Sequence, residues 1–232
     1  MKENMSRREL LKRYGLFIIS LFISALGVAV TKRGELGVSP ISSAANVMSM
    51  RFPALSLGSW LIIWNCILIA GQIALLRRNF KLIQLLQIPL SFLFGWFTDI
   101  GMCIARLFPV SGYISRLVAV VCGTAILGFG ISLSVAANVI MNSGEAFVKA
   151  VSDVSGKEFG NVKIIFDISN VTFAAVLSLA LFDFKIVGLR EGTVIAALFT
   201  GVCVKFFTKL CKEGLDRMLS DNTQKGNEIN AQ

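Results

Sequence analysis

The chain has 232 residues, of which 55% are hydrophobic and 16% charged, and its formal net charge is +9. Soluble domains average about 25% charged residues, so a chain this apolar is expected to have lipid as its solvent. The length left between apolar stretches excludes a separate soluble domain. We expect no nucleic-acid partner, because membrane proteins concentrate Lys and Arg at the cytoplasmic face and this explains the positive charge.

Six stretches are long and apolar enough to cross a bilayer, which needs about 20 residues per helix. They are residues 14–31, 57–76, 83–105, 117–137, 161–182 and 192–210. The expected fold is therefore an all-α integral membrane protein with six transmembrane helices. The expected segments are a cytoplasmic basic segment (1–13), a first three-helix repeat (14–107), a linker (108–116), a second three-helix repeat (117–210) and a disordered cytoplasmic tail (211–232).

The basic residues predict the orientation of the chain. If the first span starts in the cytoplasm, 16 of the 23 Lys and Arg residues fall in cytoplasmic segments, which leaves 7 outside. This bias indicates that both termini are cytoplasmic. The six spans and their orientation predict a multi-pass protein of a cytoplasmic membrane.

The same apolar pattern occurs twice, about 100 residues apart, as GSWLIIWNCI (58–67) and GNVKIIFDIS (160–169). The matched pairs include Gly58 with Gly160, Asn65 with Asp167 and, further along, Gly95 with Gly201. Each unit holds three spans, an odd number, so the second must enter the membrane from the opposite side. This predicts two inverted repeats, an arrangement typical of transport proteins whose sites lie between the copies.

Each unit also contains a short helix that cannot cross a membrane, at 40–51 and at 144–156. Ser39 is a candidate cap for the first, and Pro40 suits its first position. Two interpretations are open for both helices. They lie flat in the membrane interface, or they are re-entrant and line a cavity within the bundle.

Small residues indicate how the spans pack. Span four carries Gly128, Gly130, Ser132 and Ser134, and span one carries Ser20 and Ser24 at the same helical spacing. Such faces let helix backbones approach closely in lipid. We expect spans one and four to cross at the repeat axis, although ordinary helix contact without symmetry explains the pattern equally well.

Charged residues inside lipid usually have a partner or a function. Depth along the spans predicts that Asn65 meets Asp99 in the outer third, and that Asp167 meets Lys205 in the inner third. Two interpretations are open. The pairs hold neighbouring spans together, or one of the carboxylates, Asp99 or Asp167, couples transport to protons or cations. Asp99 is the candidate carrier because its expected partner is a neutral amide, whereas Asp167 and Lys205 form a structural ion pair.

Symmetry brings the remaining buried polar groups to one predicted cavity near the middle of the membrane. One wall is expected to hold Ser39, Ser42, Ser43, Asn46, Asn65 and Asp99, and the other Ser134, Asn138, Asp167 and Asn170.

Several kinds of chemistry are not expected. The chain has no histidine and no nucleotide-binding glycine motif, so we predict no catalytic residues, no metal site, no cofactor and no enzymatic activity. The five cysteines lie in or beside spans, where they act as small packing residues.

Several motifs resemble those of the YczE/YitT group of bacterial multi-spanning membrane proteins. They are Gly37-Val38-Ser39-Pro40, Leu57-Gly58-Ser59-Trp60, Gly188 and Gly192-Thr193. The resemblance covers about residues 14–210 and implies a bacterial cytoplasmic membrane protein, without implying a substrate.

Three hypotheses for function follow. The first is a small-molecule secondary transporter or exporter with its site between the repeats. The second is a non-transporting membrane regulator or partner protein, and the third is the substrate-binding subunit of a larger uptake complex. The expected partners are the lipid bilayer and an unknown small molecule, with a homo-oligomer or a membrane-protein partner left open.

Overall fold

A computed structural model describes residues 7–219, and helices make up most of that range. Six of them are long and apolar enough to cross a membrane, as predicted. In chain order the helices are α1 (Arg7–Arg33), α2 (Ser43–Arg51), α3 (Leu57–Leu76), α4 (Gln87–Arg106), α5 (Tyr113–Ala137), α6 (Ser143–Ser155), α7 (Phe159–Leu181) and α8 (Glu191–Leu219). A 3-10 turn (Pro40–Ser42) leads into α2.

Helices α1 and α8 extend furthest beyond their predicted spans. Helix α1 starts at Arg7, where the Glu9 carboxylate and the Arg13 guanidinium, 2.8 Å apart, pair across one helical turn. Helix α8 continues to Leu219, past the predicted boundary at residue 210. The predicted basic segment and disordered tail are therefore helical where they are described, and residues 1–6 and 220–232 of those segments lie outside the described residues.

Helices α1 and α5 run antiparallel in close contact along much of their length. A Cβ atom built on Gly27 would lie 2.7 Å from the Leu127 Cα atom, and one built on Gly130 would lie 2.6 Å from the Ser24 amide nitrogen. No side chain fits at these positions. The predicted crossing of the first and fourth spans through small residues is confirmed.

The other helices surround this central pair. Helix α4 packs on α1 and α8 packs on α5, while each short helix reaches across the molecule, α6 to α3 and α2 to α7. One helix contact in the first half of the chain has no counterpart in the described part of the second half. Helix α3 packs along α4, whereas α7 and α8 share no extended contact within the described chain.

The N-terminal ends of the two short helices lie inside the bundle. The tip of the Ile41 side chain occupies the space where a side chain at Gly144 would begin, so the two ends are in direct contact. The Gln72 side-chain amide of α3 donates to the carbonyl oxygen of Ser143, 3.1 Å away. The interior position of both ends favours the re-entrant interpretation over the interfacial one.

Candidate functional site

A cavity of about 610 Å³ lies where the N-terminal ends of the two short helices meet. Its volume falls within the range of roughly 300–1,000 Å³ that is usual for small-molecule sites. All six long helices contribute to its wall. Much of that wall is apolar and comes from α1 and α4, through Phe17, Leu21, Leu90 and Phe94.

The cavity contains some of the predicted site residues and not others. Those that line it are Ser39, Ser42, Asn65 and Asp167. Those that do not are Ser43, Asn46, Asp99, Ser134, Asn138 and Asn170. Of the two predicted walls, the cavity thus includes the Ser39–Ser42 turn and the matched pair of Asn65 and Asp167.

Asn46 joins three segments of the chain instead of lining the cavity. Its side-chain amide donates to the carbonyl oxygen of Gly188 at 2.8 Å, and its amide oxygen accepts from the Lys32 ammonium. Asn46 is 1% exposed, so these bonds satisfy an amide that has no access to water. Its role is to hold α2 against the end of α1 and the segment before α8.

Two of the other polar side chains outside the cavity bond to nearby backbone carbonyl oxygens. The Ser43 hydroxyl donates to the Ser39 carbonyl oxygen at 3.1 Å, and the Asn170 amide donates to the Phe166 carbonyl oxygen at 2.9 Å. Asn138 ends α5 in the left-handed conformation, with a φ of 48°. Depth alone could not predict these outcomes, because a polar residue at the right depth can still face its own helix.

Asp99 holds α4 against the start of α3. Its two carboxylate oxygens accept from the Gly58 amide at 2.9 Å and from the Ser56 hydroxyl at 2.6 Å. The prediction that Asp99 meets Asn65 is therefore wrong, and the carboxylate does not line the cavity in which it was expected. The physical reason is that the first turn of a helix has unpaired amides, which favour a carboxylate as their partner.

The predicted ion pair between Asp167 and Lys205 is also wrong. Asp167 pairs with Lys163, 2.5 Å away and one turn earlier on α7. Lys205 lines the cavity from α8 and forms no ion pair with any described residue. A partner at i−4 on the same helix is within reach wherever the neighbouring helices lie, whereas a pair between helices requires contact between α7 and α8.

Glu145 is a cavity residue that the sequence reasoning missed. It lies in the first turn of α6 and is half-buried. Burial raises the pKa of its carboxyl group above the usual range, while the nearby Lys163 ammonium acts in the opposite direction. The sequence did contain a signal for Glu145, because it is an acidic residue at the start of a short helix. The later charged residues of that helix, Lys149 and Asp153, pair with each other on its exposed side.

A pair of buried amides lies beside the cavity, which one of them, Gln87, also lines. The side chains of Gln72 on α3 and Gln87 on α4 exchange two hydrogen bonds, of 3.1 and 3.2 Å. Both residues are at most 3% exposed. An amide pair buried in this way binds α3 to α4, and because Gln72 also bonds to Ser143, it binds both to the start of α6.

Glycines distinguish the two sides of the cavity. At the α3–α4 contact, a Cβ atom on Gly95 would lie 2.7 Å from the Gly58 carbonyl oxygen, so the two backbones touch. The residues that the sequence matches to them, Gly160 on α7 and Gly201 on α8, line the cavity and have no atom within 4 Å of a built Cβ. We call the line along which α3 faces α4, or α7 faces α8, a seam. The α3–α4 seam is closed, because the two helices touch along it, and the corresponding α7–α8 seam is open.

A comparison with known protein families places the chain in a family of unknown function. A family profile matches residues 11–209, which include every described residue that lines the cavity, from Phe17 to Lys205. The chain belongs to the DUF6198 family, a family of unknown function. None of the curated proteins and none of the solved structures compared with it matches. Membership in DUF6198 therefore assigns no activity, and the function has to be inferred from the cavity.

Proposed function

We propose that this DUF6198 protein is a secondary transporter of a small molecule and that the cavity is its substrate site. The observation that carries the proposal is the contrast between the two seams beside the cavity. The α3–α4 seam is closed through Gly58 and Gly95, and the α7–α8 seam is open at Gly160 and Gly201. A transporter that alternates between two open states needs one closed and one open seam at a time.

The proposal includes an inverted repeat, with α1–α4 as one copy and α5–α8 as the other. The contacts support it, because α1 with α4 corresponds to α5 with α8, and α2 with α7 corresponds to α6 with α3. If the two copies exchange their conformations, the closed and open seams also exchange. The molecule then opens toward the opposite side of the membrane without a change in its central α1–α5 contact.

We further propose that the protein lies in a bacterial cytoplasmic membrane with both termini in the cytoplasm, as its basic residues and its resemblance to the YczE/YitT group suggest. In this orientation Gly160, at the start of α7, lies near the cytoplasmic side, and Gly58, at the start of α3, lies near the outer side. The conformation described is then open to the cytoplasm. Its outward-open counterpart has Gly160 against Gly201, and Gly58 apart from Gly95.

A cross-link across the open seam tests this proposal. The five natural cysteines are first replaced, and Gly160→Cys is combined with Gly201→Cys. We expect a disulfide in membranes under mild oxidation, because closure of the seam brings the two Cα atoms to within the roughly 4.4–6.8 Å that a disulfide requires. The cross-linked fraction is measured by gel mobility after cleavage of the chain between α7 and α8.

The matched control pairs Gly160→Cys with Leu198→Cys, one turn earlier on α8 at a side chain that is 68% exposed. We expect little cross-linking in this variant. If both cysteine pairs cross-link equally, the disulfides form by random collision. If the pair at positions 160 and 201 does not cross-link at all, the α7–α8 seam never closes. Either result contradicts the proposed alternation.

A second candidate function is a membrane regulator or the substrate-binding subunit of a larger complex. The exposed side of α8 favours it, since only 6% of the most apolar part of this helix is buried and its one extensive contact is with α5. In that case a partner helix would occupy the open seam, and the Gly160–Gly201 cross-link would not form. Neither candidate involves covalent catalysis, and we propose that the protein is not an enzyme.

A further inference from the structure

Four ionisable side chains line the cavity: Glu145, Lys163, Asp167 and Lys205. Lys163 and Asp167 neutralise each other at 2.5 Å. The net charge of the cavity therefore depends on Lys205, which forms no ion pair with the described residues, and on Glu145. With Glu145 protonated the cavity carries one excess positive charge, and with Glu145 ionised it carries none.

On the basis of the proposed transport function, we propose that the substrate is an amphiphilic carboxylate or a similar monoanion, bound by Lys205, and that Glu145 binds a proton together with it. The apolar wall of Phe17, Leu21, Leu90 and Phe94 accommodates the body of such a molecule. An anion is attracted by an unpaired ammonium more strongly in a cavity with apolar walls than on the surface, because such walls screen the charge less than water does.

The position of Glu145 couples the anion to the proton. When Glu145 is ionised, its carboxylate occupies the start of α6 and repels a second anion in the same cavity. When it is protonated, Lys205 and the amides at the start of α6, which the Asn142 side chain does not cap, both favour an anion. Binding of the anion and binding of the proton therefore strengthen each other by the same factor.

The groups around Glu145 support this pH dependence. Helix α7, which packs on α6, presents Lys163 and Asp167, and α8 presents Lys205 across the cavity. Helix α3 also packs on α6, but its cavity residues Leu61 and Asn65 carry no titratable group. Burial already raises the pKa of Glu145, and a bound anion would raise it further, so that the anion favours the protonated carboxyl group.

Three probes with the same apolar body test the charge of the substrate: 3-phenylpropanoate, 3-phenylpropylamine and 3-phenylpropanol. The purified full-length protein is heated in detergent with each probe, because a ligand that binds the folded state raises the unfolding temperature. We expect a concentration-dependent rise with the carboxylate and a smaller one or none with the amine. Binding of the amine or the alcohol with no binding of the carboxylate overturns the inference.

Variants of Lys205 show where the carboxylate binds. Lys205→Met is expected to weaken its affinity about tenfold, which is the effect of losing one charge-assisted hydrogen bond. Lys205→Arg is expected to retain binding, and so is Lys209→Met, which removes a lysine one turn away that does not line the cavity. The unfolding temperature without probe identifies any variant that is merely destabilised. Unchanged affinity in Lys205→Met overturns the inference.

Proton uptake tests the role of Glu145. In weakly buffered solution with an indicator dye, saturation with 3-phenylpropanoate is expected to take up protons, up to one per chain, and Glu145→Gln is expected to take up none. Proton release in the wild type overturns the coupling. These results are separable from the transport proposal, because the Gly160–Gly201 cross-link reports alternation whatever the substrate is.

Discussion

Replacing Gly27 with alanine is expected to destabilise the protein by about 1–3 kcal/mol or more, the usual cost of forcing extra atoms into a well-packed core. The added methyl group would lie 2.7 Å from the Leu127 Cα atom and 2.8 Å from the Gly123 carbonyl oxygen. Both are backbone atoms of α5, which cannot move aside as a side chain can. Helices α1 and α5 must separate, and the contacts above and below Gly27 weaken with them.

The measurement is the unfolding temperature of the purified variant in detergent. Gly15→Ala is the matched control, because Gly15 lies on the same helix and has no atom within 4 Å of a built Cβ. Alanine favours a helix over glycine by about 1 kcal/mol, so the control is expected to be as stable as the wild type or slightly more stable. If both variants melt alike, α1 and α5 do not cross at Gly27.

Breaking the Lys163–Asp167 pair is expected to give the largest loss among single charge changes in the cavity. Lys163→Met leaves the Asp167 carboxylate near Glu145 without its partner, and a lone buried charge costs about 3–5 kcal/mol. The side chains of the pair are 30% and 26% exposed, which places the expected loss at the lower end of that range. The double variant with Asp167→Asn is expected to recover part of the loss.

A double-mutant cycle measures this coupling from four unfolding temperatures. The control is the pair Lys149–Asp153 on α6, which has the same i, i+4 spacing at 2.6 Å but side chains that are 50% and 52% exposed. Its coupling is expected to be about 0.3–0.5 kcal/mol. The arrangement described for the cavity is contradicted if the coupling of Lys163 with Asp167 is no larger than that of the control pair. It is also contradicted if Asp167 couples more strongly with Lys205 than with Lys163.

The sequence predicted features that depend on position along a helix. Helix α3 has the predicted bounds of 57–76, and the glycines of the close α1–α5 contact were recognisable by their spacing. Position along a helix does not say which way a side chain faces. For Asp99 the depth was wrong as well, because its partner Gly58 lies seven residues before Asn65 on α3, about 10 Å closer to the start of that helix.

Two features of the site were local and could have been found. Lys163 and Asp167 have the i, i+4 spacing of a helical ion pair. Glu145 lies at the start of the second short helix, at the position that corresponds to the Ser39–Ser42 turn of the first. The open α7–α8 seam, by contrast, could not be predicted. It is a difference in distance between two glycine pairs that the sequence matches to each other, so nothing in the residue types distinguishes them.

The most direct test of alternating access is the reactivity of a cysteine at position 65, in the cavity, with a membrane-impermeant thiol reagent. Asn65→Cys is placed in the cysteine-free protein and labelled in right-side-out and inside-out vesicles, with Arg33→Cys and Phe80→Cys as markers of the outer and cytoplasmic sides. If the two seams open in turn, position 65 is labelled from both sides, while each marker is labelled from one. Labelling of position 65 from one side only would contradict the account.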